Sequence, residues 1–267
     1  FAEAFDAYEA CLKMNPSMSE PLMNSKALAR RAFQMKDYQA AEKVYAGLLK
    51  YQPGNQEYAT GYAEALMYGN QLEAALKLLD SLLLLAPDDA NINHLQGQMW
   101  GRYLAFRPFV TPVMQAEYLN KSRRFLEKAV AGDPGNYGMV ENLAIVHGLM
   151  GDFRKALELF DRALTMMLEK EETKSGDPSS KRLLHESIAK VYRNIGDTYG
   201  NMRNEEKLIF NYEQSLKYNP DDGSAVSTLA QVFRRRGEPA KGLEYLTRYL
   251  ERNPGDKNLT ALRDQMQ

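Results

Sequence analysis

Cysteine is almost missing from this sequence. Cys11 is the only one among 267 residues, which excludes an internal disulfide and any multi-cysteine zinc site. Histidine is scarce too. His94, His147 and His185 are the only three. None has a second His or Cys at metal-ligand spacing, and no H-E-x-x-H run occurs. No glycine-rich phosphate loop, no G-x-G-x-x-G after a strand and no G-x-S-x-G elbow is present. The expectation is therefore a protein with no cofactor, no metal and no catalytic residues. A long hydrophobic run is missing as well. The longest, Leu82–Ala86, has Lys77, Asp80 and Ser81 just before it, too short and too polar a stretch to cross a bilayer. Charge of one sign is not in excess. A formal net charge of −1 gives no general pull toward nucleic acid or anionic lipid.

What is present is helical periodicity with a repeat. In Tyr137–Leu168, Val140, Leu143, Ala144 and His147 make the buried stripe of one helix. Gly151-Asp152 breaks it, since glycine suits a left-handed helix end and aspartate caps the start of the next helix. A second helix carries Phe153, Ala156, Leu157, Phe160, Ala163 and Leu164. Small residues alternate there with bulky ones, which lets two helices approach closely. The expected packing leaves His147 buried and satisfied. The hairpin recurs: Pro53 and Pro87 stand 34 residues apart, as do Pro220 and Pro254. Each closes a similar segment, such as KDYQAAEKVYAGLLKYQP or GEPAKGLEYLTRYLERNP.

A helix–turn–helix at this period with a terminal proline resembles the tetratricopeptide repeat (TPR) family. The resemblance covers nearly the whole chain. It implies an all-α TPR solenoid, a right-handed superhelix of antiparallel helix pairs, formed as one array. The expected parts are a second helix without its first at 1–16 and repeats at 22–55, 56–89, 90–136, 137–173, 181–222 and 223–256, with a cap at 257–267. The opening segment FAEAFDAYEACLKMNP, with Ala4, Tyr8, Cys11 and Leu12 on its inner face, reads as a piece whose first helix lies upstream.

Two places depart from the period. Pro87 to Pro134 spans 47 residues, 13 more than one repeat. The surplus is placed in an insertion at about 103–114, where Pro108 and Pro112 forbid a continuous helix. Its aromatics Tyr103, Phe106 and Phe109 either contact a partner, as aromatic hot spots do, or fold back as satellite core. Pro134 to Pro220 carries 18 more residues than two repeats, assigned to longer helices around a polar break at 174–180.

The paired carboxylates Asp88-Asp89 and Asp221-Asp222 each follow a proline and precede a helix, so they are read as caps. Arg234-Arg235-Arg236 ends a helix. It either complements the helix dipole or meets a phosphate or acidic peptide.

The remaining feature is a surface, the stripe of each first helix opposite its packed face. If the family geometry holds, it lines the concave side. The candidates are Lys26 and Arg30; Glu57 and Glu64; Asn91, His94 and Gln98; Glu141 and Asn142; Lys190, Arg193, Asn194 and Asp197; and Gln231 and Arg234. Phe33 and Met67 also fall on it. Amides and mixed charges of this kind can hydrogen-bond an extended or helical peptide. TPR domains that capture chaperone tails carry a clamp of Lys and Asn. Here Arg30 stands where its Asn is required, and Glu57, Gly61 and Glu64 replace the next amide and base, so that clamp is not expected. The sequence thus implies a scaffold binding a protein or peptide partner in the groove, with no nucleic acid and no membrane insertion. The alternatives are a self-assembling homo-oligomer and the scaffold segment of a larger enzyme or envelope complex.

Overall fold

The computed structural model describes residues 1–106, 109–173 and 178–266. The described residues are 83% helical and hold no strand. They divide into two compact units, Phe1–Pro134 and Gly135–Gln267.

The first unit holds α1 (Ala2–Met14), α2 (Ser19–Gln34), α3 (Tyr38–Tyr51), α4 (Gln56–Tyr68), α5 (Leu72–Leu85), α6 (Ala90–Phe106) and α7 (Pro112–Gly132). Helices α2/α3, α4/α5 and α6/α7 are packed pairs. The core runs through Ala29, Ala32, Ala41, Val44 and Leu48, then Ala63, Leu66, Ala75, Leu79, Ile92 and Met99. In the third pair Gly97 lets α7 come close: a Cβ there would stand 2.6 Å from Leu126 Cγ. The Ser122 hydroxyl donates to the Gly97 carbonyl at 2.7 Å across that contact.

Two expectations are corrected in this unit. Cys11 and Ala4 are exposed rather than packed. Helix α1 turns Phe5 and Leu12 inward instead, with Tyr8 half-buried beside them. Phe5 lies so close to Gly47 that a Cβ there would stand 2.3 Å from the ring. The described residues place no helix against the face that holds Cys11. The surplus of the third repeat, moreover, does not form a long loop. It extends both helices, α6 to Phe106 and α7 back to Pro112. Pro112 costs nothing at the first helical position, where its missing N–H has no partner in any case, and Thr111 caps that end by accepting from the Met114 N–H at 3.2 Å.

The second unit holds α8 (Tyr137–Leu149), α9 (Phe153–Thr173), α10 (Pro178–Asn201), α11 (Glu205–Tyr218), α12 (Gly223–Arg235), α13 (Pro239–Arg252) and the short α14 (Lys257–Asp264). Ala156 and Ala163 are fully buried against α8 beside Phe160. Leu159 and Met167 join them, which the alternation of small and bulky residues did not single out. Gly196 does in this unit what Gly97 does in the other, its missing Cβ making room 2.6 Å from the Tyr212 ring. His147 packs into the α8/α9 turn with Nδ1 3.2 Å from Asp152 Oδ2. Of the polar break expected at 174–180, residues 174–177 lie outside the described residues.

Five of the six hairpins turn in the same way. One residue at φ of +60 to +82° ends the first helix: Lys36, Asn70, Gly151, Arg203 or Gly237. The next residue sends its N–H back five positions, as Asp37 does to Ala32 and Asp152 to His147. That bond satisfies a carbonyl the helix end would otherwise leave open. In three of the five turns the same residue then caps the second helix, as Asp37 accepts from Ala40 N–H and Asn204 from Lys207 N–H, and Asp152 from Lys155 N–H. Asp89 and Asp222 cap the helices after the prolines, as expected.

Candidate partner-binding surface

In the first unit the stripes of neighbouring first helices meet. Glu57 on α4 accepts from Lys26 Nζ at 2.6 Å and from Arg30 at 2.7 Å, both on α2. All three groups stay partly exposed. The buried Tyr45 on α3 lies against this cluster. Desolvation pushes its phenol above the ordinary range, and a hydrogen bond from Arg30 works against that. Two helical turns beyond Glu57, Glu64 is half-buried, and desolvation raises its carboxyl above the usual range. On α6, Asn91 is exposed and Gln98 half-buried. His94 is half-buried, and desolvation pushes its imidazole down to about 4. It is therefore neutral at physiological pH. Phe33 packs edge-on to Tyr38 and Tyr68. Met67 is a correction: at 1% exposure it belongs to the core and not to the stripe. It sits at the end of α4, one turn past Ala63, where the helix turns toward α5.

The second unit repeats the arrangement with deeper burial. Glu141 on α8 is only 6% exposed. It accepts from Lys190 Nζ at 2.9 Å and from Asn194 at 3.3 Å, both on α10. Arg193 reaches the next first helix, donating to Asp222 at 2.5 Å at the start of α12. Asp197 accepts a short hydrogen bond from the buried Tyr212 hydroxyl. Desolvation and this bond push the phenol well above its ordinary range. Asn142 is half-buried, while Gln231 and Arg234 are exposed, Gln231 donating to Ser227 at 3.0 Å. Arg235 and Arg236 pair with Glu205 at 3.7 Å and Glu238 at 3.2 Å.

The insertion aromatics separate. Tyr103 lies inside α6 at 5% exposure, packed on Trp100 and Tyr118, and its hydroxyl donates to Glu73 at 3.1 Å. It is a core residue, which corrects its assignment to the insertion. Phe109 is 86% exposed. The side chain of Phe106 lies outside the described residues.

Sequence reasoning did not bring Tyr45, Tyr68 and Arg102 to this surface. The Arg102 guanidinium lies over the Tyr68 ring, 4.4 Å from its centre. Extending the α4 stripe one turn past Glu64 would have reached Tyr68.

Three family models described as tetratricopeptide repeat match residues 32–99, 189–222 and 211–257. The chain is a tetratricopeptide-repeat protein. Its fold is the all-α solenoid of that family. Among solved structures, this TPR protein is similar to a thermophilic TPR protein of Thermus thermophilus, with a TM-score of 0.64 at 16% identity over 79% of this chain and 98% of the other. It is similar to PilW, a widely conserved type IV pilus biogenesis factor, with a TM-score of 0.67 at 17% identity over 92% and 99%. The Cut9–Hcn1 hetero-tetramer of the APC/C gives 0.69 at 13% identity, over 99% of this chain and 46% of the other. At these identities the likeness speaks for the fold alone. Among the described residues, no helix of this TPR protein is long and apolar enough to cross a membrane.

Proposed function

We propose that this TPR protein is a protein-interaction scaffold, and that its first-helix stripes bind an extended or helical segment of a partner. One observation carries the reading. In each unit, polar groups from successive first helices converge on one face, as Lys26, Arg30 and Glu57 do, and as Glu141, Lys190 and Asn194 do. Amides and charges held in place by neighbours lose little freedom when a backbone docks on them. The exposed Phe109 adds an apolar contact beside the first unit's third pair. The test is photo-crosslinking with benzoylphenylalanine at Gln98 and Gln231 on the stripes and at Glu158 and Arg248 on second helices. Partner adducts from the stripe positions are expected; adducts from the second-helix positions alone would overturn the reading.

A second reading has its own observation. Ala4, Ala7, Cys11 and Met14 form an exposed small and apolar stripe on α1. In α3 the corresponding Ala41, Val44 and Leu48 are fully buried. Self-association through α1 would cover that stripe. Mass measured against concentration checks it, with Cys11 thiol labelling slowing as mass rises.

A further inference from the structure

The stripe carboxylates of this protein are matched with partners, with one exception. Glu57 has Lys26 and Arg30, Glu141 has Lys190 and Asn194, and Asp197 has Tyr212. Glu64 makes no hydrogen bond and no ion pair among the described residues, although it is half-buried. Its neighbours are aromatic. Glu64 stands one turn before Tyr68 on α4 and one turn after Gly61, whose missing Cβ makes room for the Tyr45 ring 2.5 Å away. The Arg102 guanidinium is engaged on the Tyr68 ring. Arg30 is held by Glu57, and the neutral His94 on the next first helix brings no positive charge. A carboxylate drawn partly out of water with nothing opposite it is unfavourable to the fold. A cation arriving from a partner would remedy that, and arginine or lysine carries its charge on an apolar stem suited to a half-buried position.

We propose that Glu64, flanked by Tyr45 and Tyr68, is the anchor that receives an arginine or lysine side chain of the partner segment on the first unit. This rests on the reading of the stripe as the partner surface. The anchor supplies one half-buried carboxylate as acceptor; the Tyr68 face is already taken by Arg102, and Tyr45 is buried. The anchor therefore selects a basic residue at one position of the partner segment and rejects an acidic one there.

The test uses two probes of equal shape, acetyl-Gly-Arg-Gly-amide and the same tripeptide with neutral citrulline in place of arginine. NMR follows the Glu64 side-chain carboxyl and the Tyr68 ring as each probe is added to the full chain. Saturable shifts at both groups with the arginine probe are expected, about tenfold weaker with citrulline, because a hydrogen bond to a charged group is the stronger kind. Glu64→Gln should remove the difference between the probes while the chain stays folded by circular dichroism. Equal response to both probes, or an arginine response unchanged in Glu64→Gln, would mean an ordinary hydrated carboxylate and would overturn the anchor. The stripe reading is judged separately by the photo-crosslinks. Adducts on the stripe with no arginine preference at Glu64 sink the anchor alone, and adducts confined to second helices sink both.

Discussion

Glu64 and Glu141 are both carboxylates on the stripe of a first helix, one in each unit, and their surroundings are opposite. Glu141 is the deeper of the two, yet it is matched by Lys190 and Asn194. Glu64 is less buried and has no such partner among the described residues. Burial alone therefore does not mark a site on this surface. A matched carboxylate ties adjacent repeats together, while an unmatched one is a liability to the fold unless something binds there.

The sharpest way to break this contrast is to remove a partner on one side and the charge on the other. Lys190→Met leaves Glu141 buried without its cation. Urea unfolding of the second unit should show a loss of about 2 kcal/mol, below the full value for a buried pair because Lys190 is half exposed. An unchanged midpoint would mean that Asn194 and water suffice. Packing between helices can be probed in the same unit. Ala156→Leu should overpack the α8/α9 hairpin and lower stability by about 1–3 kcal/mol, and no change in the midpoint would contradict the buried contact assigned to Ala156.

The turns give a smaller effect that separates sequence from geometry. Gly151 and Arg203 hold the same left-handed conformation in successive hairpins. Gly151→Ala should lose about 1 kcal/mol and Arg203→Gly should gain a similar amount. Equal responses of the same sign would show that side-chain contacts, not backbone strain, govern those turns.

Smallest is the response at Glu64. Its folded carboxyl is raised by desolvation, so the protonated form is the one the fold favours. The stabilisation is complete below the unfolded carboxylate range and is lost as pH rises through the folded value. Glu64→Gln should therefore raise the urea midpoint slightly at neutral pH, and the gain should vanish in acid. His94 runs the other way. With its imidazole lowered from 6.5 to about 4, it favours the fold while neutral, and that contribution falls away between those two values as pH drops. His94→Gln should flatten the stability profile in that window; a profile that keeps its slope assigns it to other groups.

Much of the architecture was legible in residue order. The prolines mark the repeat, and Gly151-Asp152 announces both the left-handed turn and the cap after it. The alternation of Ala156, Phe160 and Ala163 identifies the packed face. Less legible was any turn built on Lys36 or Arg203, because a left-handed residue without glycine leaves no compositional trace. The third repeat was misjudged for a related reason. Two prolines suggested a loop from Tyr103 onward, but Pro112 opens α7 and is compatible with the helix there. That change moves Tyr103 from a candidate contact into the core.

The candidate surface was legible as a set of positions and not as a set of partners. Helical spacing alone places Glu57, Glu64, Glu141 and Lys190 on first-helix stripes, because a helix fixes its faces through a local period of about 3.6 residues. Spacing carries no information about which group lies opposite which across 31 residues for Lys26 and Glu57, or 53 for Asn194 and Glu141. Those pairings depend on how one repeat stacks on the next. The sequence by itself determined the helices, most of their turns and the repeat, all of them short-range. Only the tertiary structure decided that Glu141 is matched and Glu64 is not, because burial and pairing depend on neighbours brought together from distant parts of the chain.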